Sequence, residues 1–223
     1  MEIKAVLFDL GGTLMKPPSI SKTMKKILET FGVKRSAKEI DRARSAVEKH
    51  VDIEELPILG DEFWFRSNSQ ILKHLGIHND TQFLAEKITK LWWHYAEVEL
   101  YPDAETTLRL LKQKGLKVGL VTNGLKSDVR DILPQIGLTR FFDIEITSDA
   151  VGKMKPHKEI FLHALGKLNL SPHEALFVGD MVEYDYEGAK ECGLKALLID
   201  RENNVKGMNV EKISSLMELL ELI

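Results

Sequence analysis

Cysteine is almost missing from this chain of 223 residues: Cys192 stands alone. An internal disulfide is therefore excluded, and no Cys/His set has zinc-ligand spacing. Long apolar runs are missing as well, none approaching the ~20 residues that span a bilayer, so a membrane-spanning protein is not expected. An excess of one charge is also missing. The 31 Lys and Arg stand against 34 Asp and Glu, a net charge of -3, which leaves no electrostatic footprint for nucleic acid. Glutamine is scarce, with Gln70, Gln82, Gln113 and Gln135 the four present, while Lys and Glu abound. That balance leans towards a thermophile. Met1-Glu2-Ile3-Lys4 runs directly into an apolar stretch without a signal-peptide pattern. The expectation is a cytoplasmic protein whose partners are small molecules, with neither nucleic acid nor membrane among them. Oligomeric state is not legible from the sequence.

What is present suits a globular chain, 43% hydrophobic and 29% charged, and long enough for one domain with a large insertion. Ala5-Val6-Leu7-Phe8 is short and apolar and reads as a fully buried strand of an α/β sheet. It ends in a carboxylate, Asp9, after which Leu10-Gly11-Gly12-Thr13 turns the chain sharply. Asp9 is thus expected at the carboxyl edge of a parallel sheet, where such folds place their ligands. Met15-Lys16-Pro17-Pro18-Ser19 is expected to break regular structure, with Ser19 capping the next helix. Four helical patterns follow, at about 19–31, 36–50, 61–75 and 80–97, punctuated by Gly32, Gly60 and Gly76. No strand signal interrupts them. Phe63, Trp64, Phe65, Trp92, Trp93 and Tyr95 load two of these helices with rigid apolar bulk, mostly as core, with one or two open to a place at the mouth of a small-molecule pocket.

At Tyr101-Pro102 the pattern changes to regular alternation. Residues 103–114 read as a helix capped by Asp103 and stopped by Gly115. A buried strand at 117–121 ends at Thr122-Asn123-Gly124. Helices at about 126–136, 156–168, 187–192 and 213–222 then alternate with strands at 142–146, 175–178 and 196–199. Cys192 falls near a helix end, a packed position. This alternation predicts a parallel doubly wound sheet. Asp9, Thr122 and Asp180 then share one sheet edge.

Two carboxylates there, Asp9 and Asp180, repel each other unless a cation lies between them. Mg²⁺ suits that need, being a hard ion that takes one or two carboxylates together with a substrate phosphate. Asp185, in Gly179-Asp180-Met181-Val182-Glu183-Tyr184-Asp185, can hydrogen-bond a metal-bound water, orient a neighbouring base, or cap a helix. Thr122 offers a hydroxyl, and Asn123 and Gly124 offer N–H groups just before a helix, a natural place for an anion. In Met154-Lys155-Pro156-His157 the proline holds Lys155 extended and starts a helix. Lys155 is thereby fixed in a loop, whereas Lys153 and Lys158 read as solvated surface charges.

These four stretches, Asp9 to Thr13, Val121-Thr122-Asn123, Lys155-Pro156, and Gly179-Asp180 to Asp185, resemble the four motifs of the haloacid dehalogenase-like hydrolase superfamily. The resemblance covers residues 4 to about 200 in order, spacing and strand-end position. It implies an α/β fold with a Rossmann-like parallel-sheet core, residues 1–14 and 100–223, and an all-helical cap of the first type inserted after motif one, residues 15–99. It makes Asp9 the nucleophile of an aspartyl-phosphate mechanism. Thr122 and the Asn123 N–H would hold the phosphoryl oxygens, with Gly124 beside them, and Lys155 would neutralise charge on nucleophile and substrate. Mg²⁺ would be held by the Asp9 side chain, the Gly11 main-chain carbonyl and Asp180, with Asp185 as an outer partner. The implied activity is phosphohydrolysis of small phosphorylated metabolites, catalysed mainly by positioning and electrostatics.

One departure matters. Phosphatases of this family usually carry a second aspartate two residues after the nucleophile, acting as general acid and then as base; here that residue is Gly11. The carbonyl survives, but the acid does not, and general acid–base catalysis is typically worth ~10²- to 10⁴-fold. A slow phosphatase, or one favouring acyl and aryl phosphates, is expected, unless His50, Glu54, Glu55 or His94 of the cap substitutes. The alternative is the metal-free 2-haloacid dehalogenase branch, favoured by Gly11, by Asn123-Gly124 and by Arg35, Arg42 and Arg44 as carboxylate binders. Asp180 opposes it, since a second carboxylate beside Asp9 would repel an anionic acid. A phosphonate-cleaving member would need a Schiff-base lysine, with Lys22, Lys25 and Lys26 near the right place. A member without turnover, binding a phosphorylated ligand or a protein, is a third reading; the intact Asp9, Thr122, Lys155 and Asp180 argue against it.

Overall fold

Strand β1, Ala5–Phe8, is buried at every residue because it lies between two parallel neighbours, with Phe8 in register with Leu120 on one side and Val178 on the other. The computed structural model describes residues 2–223. The other strands are β2 Met15–Lys16, β3 Glu99–Leu100, β4 Lys117–Thr122, β5 Ile144–Thr147, β6 Ala175–Gly179, β7 Lys195–Ile199 and β8 Lys212–Ile213. Among the described residues, six of them make one parallel sheet in the order β5-β4-β1-β6-β7-β8. With its flanking helices this is an α/β Rossmann-like fold. Leu7, Val121, Ile146, Phe161, Phe177 and Leu198 are buried together in its core, and Phe161 meets Phe177 edge to face at 5.1 Å.

The chain divides into two units, Met1–Pro17 with Glu99–Ile223, and Pro18–Val98. The second is helical: α1 Ile20–Thr30, α2 Ala37–Glu48, α3 Leu56–Leu59, α4 Asp61–His74 and α5 Thr81–Tyr95. Ser19 accepts the Lys22 N–H at the start of α1, and Ser36 with Glu39 closes a capping box at α2. Met24, Ile27, Ile40, Ile71, Leu84 and Ile88 form this unit's own core, against which Phe65, Trp92 and Tyr95 pack. Phe63 is buried, whereas Trp64 is exposed. In the sheet unit α6 Ala104–Gln113, α7 Lys126–Gln135, α8 Ser148–Val151, α9 Lys158–Leu168, α10 Gly188–Glu191 and α11 Leu219–Leu222 complete the fold.

Several local expectations give way to tertiary pairing. Met15–Lys16 does not break structure: it pairs antiparallel with Glu99–Leu100 as a two-stranded ribbon, and only Pro17, which limits what can follow, ends it. The strand expected at 142–146 begins two residues later, because Thr139–Phe141 takes a 3-10 turn. The closing helix expected from 213 is mostly absent. Lys212–Ile213 instead adds to the sheet edge, where Leu198 N–H donates to Glu211 and Asp200 N–H to Ile213, bonds that no local periodicity announces. The helix expected at 187–192 begins earlier, as a π-helical turn over Val182–Glu187 leading into α10, and part-buried Cys192 stands at its end. Asp103 occupies the first position before α6 but makes no capping bond. Its carboxylate is taken by Arg201, Ser215 and Leu216.

Candidate active site

Asp9 follows β1 directly and its N–H donates to the Val178 carbonyl at 3.0 Å, so the sheet ladder itself fixes the residue that carries the carboxylate. Thr122 ends β4 and Asp180 follows β6. All three therefore lie at one edge, as strand polarity requires. Lys155 comes from the loop between α8 and α9. Asn123 holds that loop by both ends of its amide: Oδ1 accepts the Lys155 N–H at 2.7 Å, and Nδ2 donates to the Lys155 carbonyl at 3.2 Å. The lysine side chain is 2% exposed, and Nζ lies 2.7 Å from Asp9 Oδ1 and 2.7 Å from Asp185 Oδ1. Among lysines that look alike in sequence, this one is buried between two acids.

Asp185 is placed by the π-helical turn, its second oxygen accepting the Met181 N–H at 3.0 Å. Two glycines allow the carboxylates to approach. A Cβ at Gly179 would overlap the Asp185 carboxyl, and one at Gly12, where φ is +85°, would overlap that of Asp180. Thr13, fully buried, sets its hydroxyl 3.5 Å from Asp180 Oδ1. Thr122 Oγ1 accepts the Gly124 N–H at 3.1 Å, so that N–H, expected to serve an anion, is engaged within the loop.

The charges do not balance. Burial pushes Asp9 up to about 6, with Asp185 adding to the shift and Lys155 opposing it. Burial, then the nearby Asp9 and Asp185, push Asp180 up to about 7. Burial works against the Lys155 charge, but Asp185 and Asp9 outweigh it and raise its pKa above the usual lysine value. One ammonium serves three carboxylates, and Asp9, Asp180 and Asp185 each present an oxygen within 4.8 Å of the others. This all-oxygen, net-negative donor set fits a hard divalent cation such as Mg²⁺.

A family model for haloacid dehalogenase-like hydrolases matches residues 3–193. The chain belongs to that family. This hydrolase is 30% identical to a glyceraldehyde 3-phosphate phosphatase of Methanocaldococcus jannaschii, over 99% of this chain and 97% of that one. It is also 30% identical to a phosphatase of the family from Thermococcus onnurineus, with a TM-score of 0.68 and coverage of 99% and 97%. A 2-haloacid dehalogenase of Pseudomonas syringae shares 25% identity and a TM-score of 0.77 over 99% and 97% of the two chains.

Within the helical unit of the hydrolase, Arg35 gives Nε and Nη2 to the Leu75 carbonyl and Nη1 to that of Lys34, and Arg44 pairs with Glu48. Arg42 is exposed. Lys25 and Lys26 pair with Glu29 and Glu97. His50 and Glu55 line a cavity of about 430 Å³ with Val47, Phe63, Arg66 and His74, and His94 meets Tyr95 edge to face. Sequence reasoning missed the Asn123 side-chain clamp and the close approach at Gly12 and Gly179. For the glycines a signal existed: each lies within a motif built around an acid, at a place where a backbone must pass close to a carboxylate.

Proposed function

We propose that this hydrolase is a Mg²⁺-dependent phosphatase of small phosphorylated metabolites that works through an aspartyl-phosphate on Asp9. The observation that carries the reading is the buried Lys155 ammonium held between Asp9 and Asp185 beside Asp180. An amine so placed offsets charge where a carboxylate attacks a phosphoryl group. The phosphatase names of the archaeal relatives support it, and they put glyceraldehyde 3-phosphate first among substrates to try.

An Asp9 carboxylate oxygen attacks phosphorus as the ester oxygen departs. Lys155 keeps Asp9 ionised and oriented, while the Thr122 hydroxyl and the Asn123 N–H hold the phosphoryl oxygens. Asp185 holds Lys155 from its other side. Asp9, Asp180 and the Gly11 carbonyl would bind Mg²⁺, which when present supplies positive charge to the phosphoryl oxygens. Water then cleaves the acyl phosphate, restoring Asp9 and releasing phosphate. Gly11 has no side chain to protonate the departing oxygen, so alkyl esters react more slowly than aryl or acyl phosphates. The helical unit, residues 18–98, is read as the cap that selects substrates.

The test is phosphate release from acetyl phosphate, p-nitrophenyl phosphate, glyceraldehyde 3-phosphate and a sugar-phosphate panel, with Mg²⁺ and with EDTA, using Asp9→Asn as the blank. Metal-dependent release that the variant lacks is expected. No release on any substrate, with chloride freed from 2-chloropropionate, would replace this reading by dehalogenation.

A further inference from the structure

We infer that Arg201 is a positioning residue of this active site, fixing the main chain of the nucleophile loop at Thr13; its catalytic consequence rests on Asp9 being the nucleophile. Arg201 lies two residues beyond β7, and Thr13 lies beyond β1. In the sheet order β1-β6-β7 the strand that carries Asp180 runs between them. The guanidinium donates from Nη2 to the Thr13 carbonyl at 2.8 Å, tying the chain that leaves β7 to the loop that follows β1. Thr13 is thus held at its carbonyl by Arg201, while its hydroxyl faces Asp180.

Every other contact fixes where that guanidinium points. Asp103 takes its fork with both oxygens, each bond 3.0 Å, and is itself fixed by the Ser215 hydroxyl and the Leu216 N–H at 2.8 Å. Tyr101 lies under the guanidinium, 3.7 Å from Cζ to the ring centroid, and its N–H donates to the Leu14 carbonyl. Arg201 Nε is buried without a partner among the described residues, so the pose serves the two other nitrogens at that one's expense. Only arginine combines a planar fork with stacking. A Cβ at Gly12 would overlap Asp180 and the Thr13 hydroxyl lies 3.5 Å from it, so any shift of this loop on release of the Thr13 carbonyl changes the surroundings of the Asp180 carboxylate. Arg201 acts on the geometry of the acids and not on the bound substrate.

The experiment compares Arg201→Ala and Arg201→Lys with wild type in two ways. In metal-free protein, amide exchange at Gly12, Leu14 and Met15, whose N–H groups close this loop, is expected to accelerate in both variants while Val6 and Leu7 in β1 keep wild-type protection. In the Mg²⁺-supplied enzyme, kcat is expected to fall about 10- to 100-fold, the range for residues that orient metal-site ligands, with KM nearly unchanged, and added guanidinium is expected to restore part of it in Arg201→Ala. Wild-type exchange in the loop, or a fall in kcat that tracks lost protection throughout β1 and is not restored by guanidinium, would overturn the inference. If Arg201→Ala does not fold, Arg201→Lys gives both readings. Absence of wild-type turnover would sink the phosphatase reading, and loop exchange would still decide the role of Arg201.

Discussion

Replacing Gly11 by aspartate should speed phosphoryl transfer, and selectively. A Cβ built at Gly11 meets no heavy atom within 4 Å, and the backbone there is not in the left-handed region. The Cβ of the new residue therefore enters open space, and stability should change by no more than about 0.5 kcal/mol, as at other open surface positions. General acid–base assistance of ~10²- to 10⁴-fold corresponds to about 3–5 kcal/mol of barrier. Alkyl phosphates require that proton, whereas p-nitrophenolate leaves without it. Single-turnover phosphoryl transfer from glyceraldehyde 3-phosphate should accelerate by at least ~10-fold in Gly11→Asp, and transfer from p-nitrophenyl phosphate should barely change. The reasoning fails if wild type already cleaves both esters at similar rates and the substitution changes neither, for then another group already supplies the proton.

Gly12→Ala should abolish Mg²⁺ binding by calorimetry and lower urea stability by about 1–3 kcal/mol, through backbone strain at φ +85° and overlap with Asp180; wild-type Mg²⁺ affinity would contradict the geometry. Lys155→Met leaves Asp9 and Asp185 buried without their cation, and urea denaturation of the metal-free protein at pH 7 should show a loss of about 3–5 kcal/mol, shrinking as pH falls through the raised Asp9 value of about 6. Burial disfavours the Asp103 charge, but Arg201, the Leu216 N–H and Ser215 outweigh it and hold the pKa below the usual carboxylate value. Its stabilisation is thus complete above about pH 4, the unfolded value, and is lost as pH falls through the lower folded value. Asp103→Asn should accordingly lower the urea midpoint at pH 6 and narrow its gap to wild type in acid.

The parallel sheet was legible because β1, β4, β6 and β7 are short, largely apolar runs followed by turns, and strand polarity then forces Asp9, Thr122 and Asp180 to one edge. The two-residue strands escaped notice, since Met15–Lys16, Glu99–Leu100 and Lys212–Ile213 are too short to carry periodicity and exist only because a partner edge supplies their hydrogen bonds. Asp103 was misread for a related reason: a helix-start signal is local, whereas the Arg201 that takes its carboxylate lies 98 residues away.

The sequence by itself determined which chemical groups stand at the sheet edge, because their order along β/α units translates directly into place. Tertiary structure alone decided their state. It buried Lys155 and left Lys153 and Lys158 unburied, turned the Asn123 amide onto the lysine's backbone, and brought Gly12 and Gly179 against two carboxylates. Distance, burial and charge are properties of the assembled neighbourhood, so the raised pKa values of Asp9 and Asp180 could be read only where the chain had brought three acids and one ammonium together.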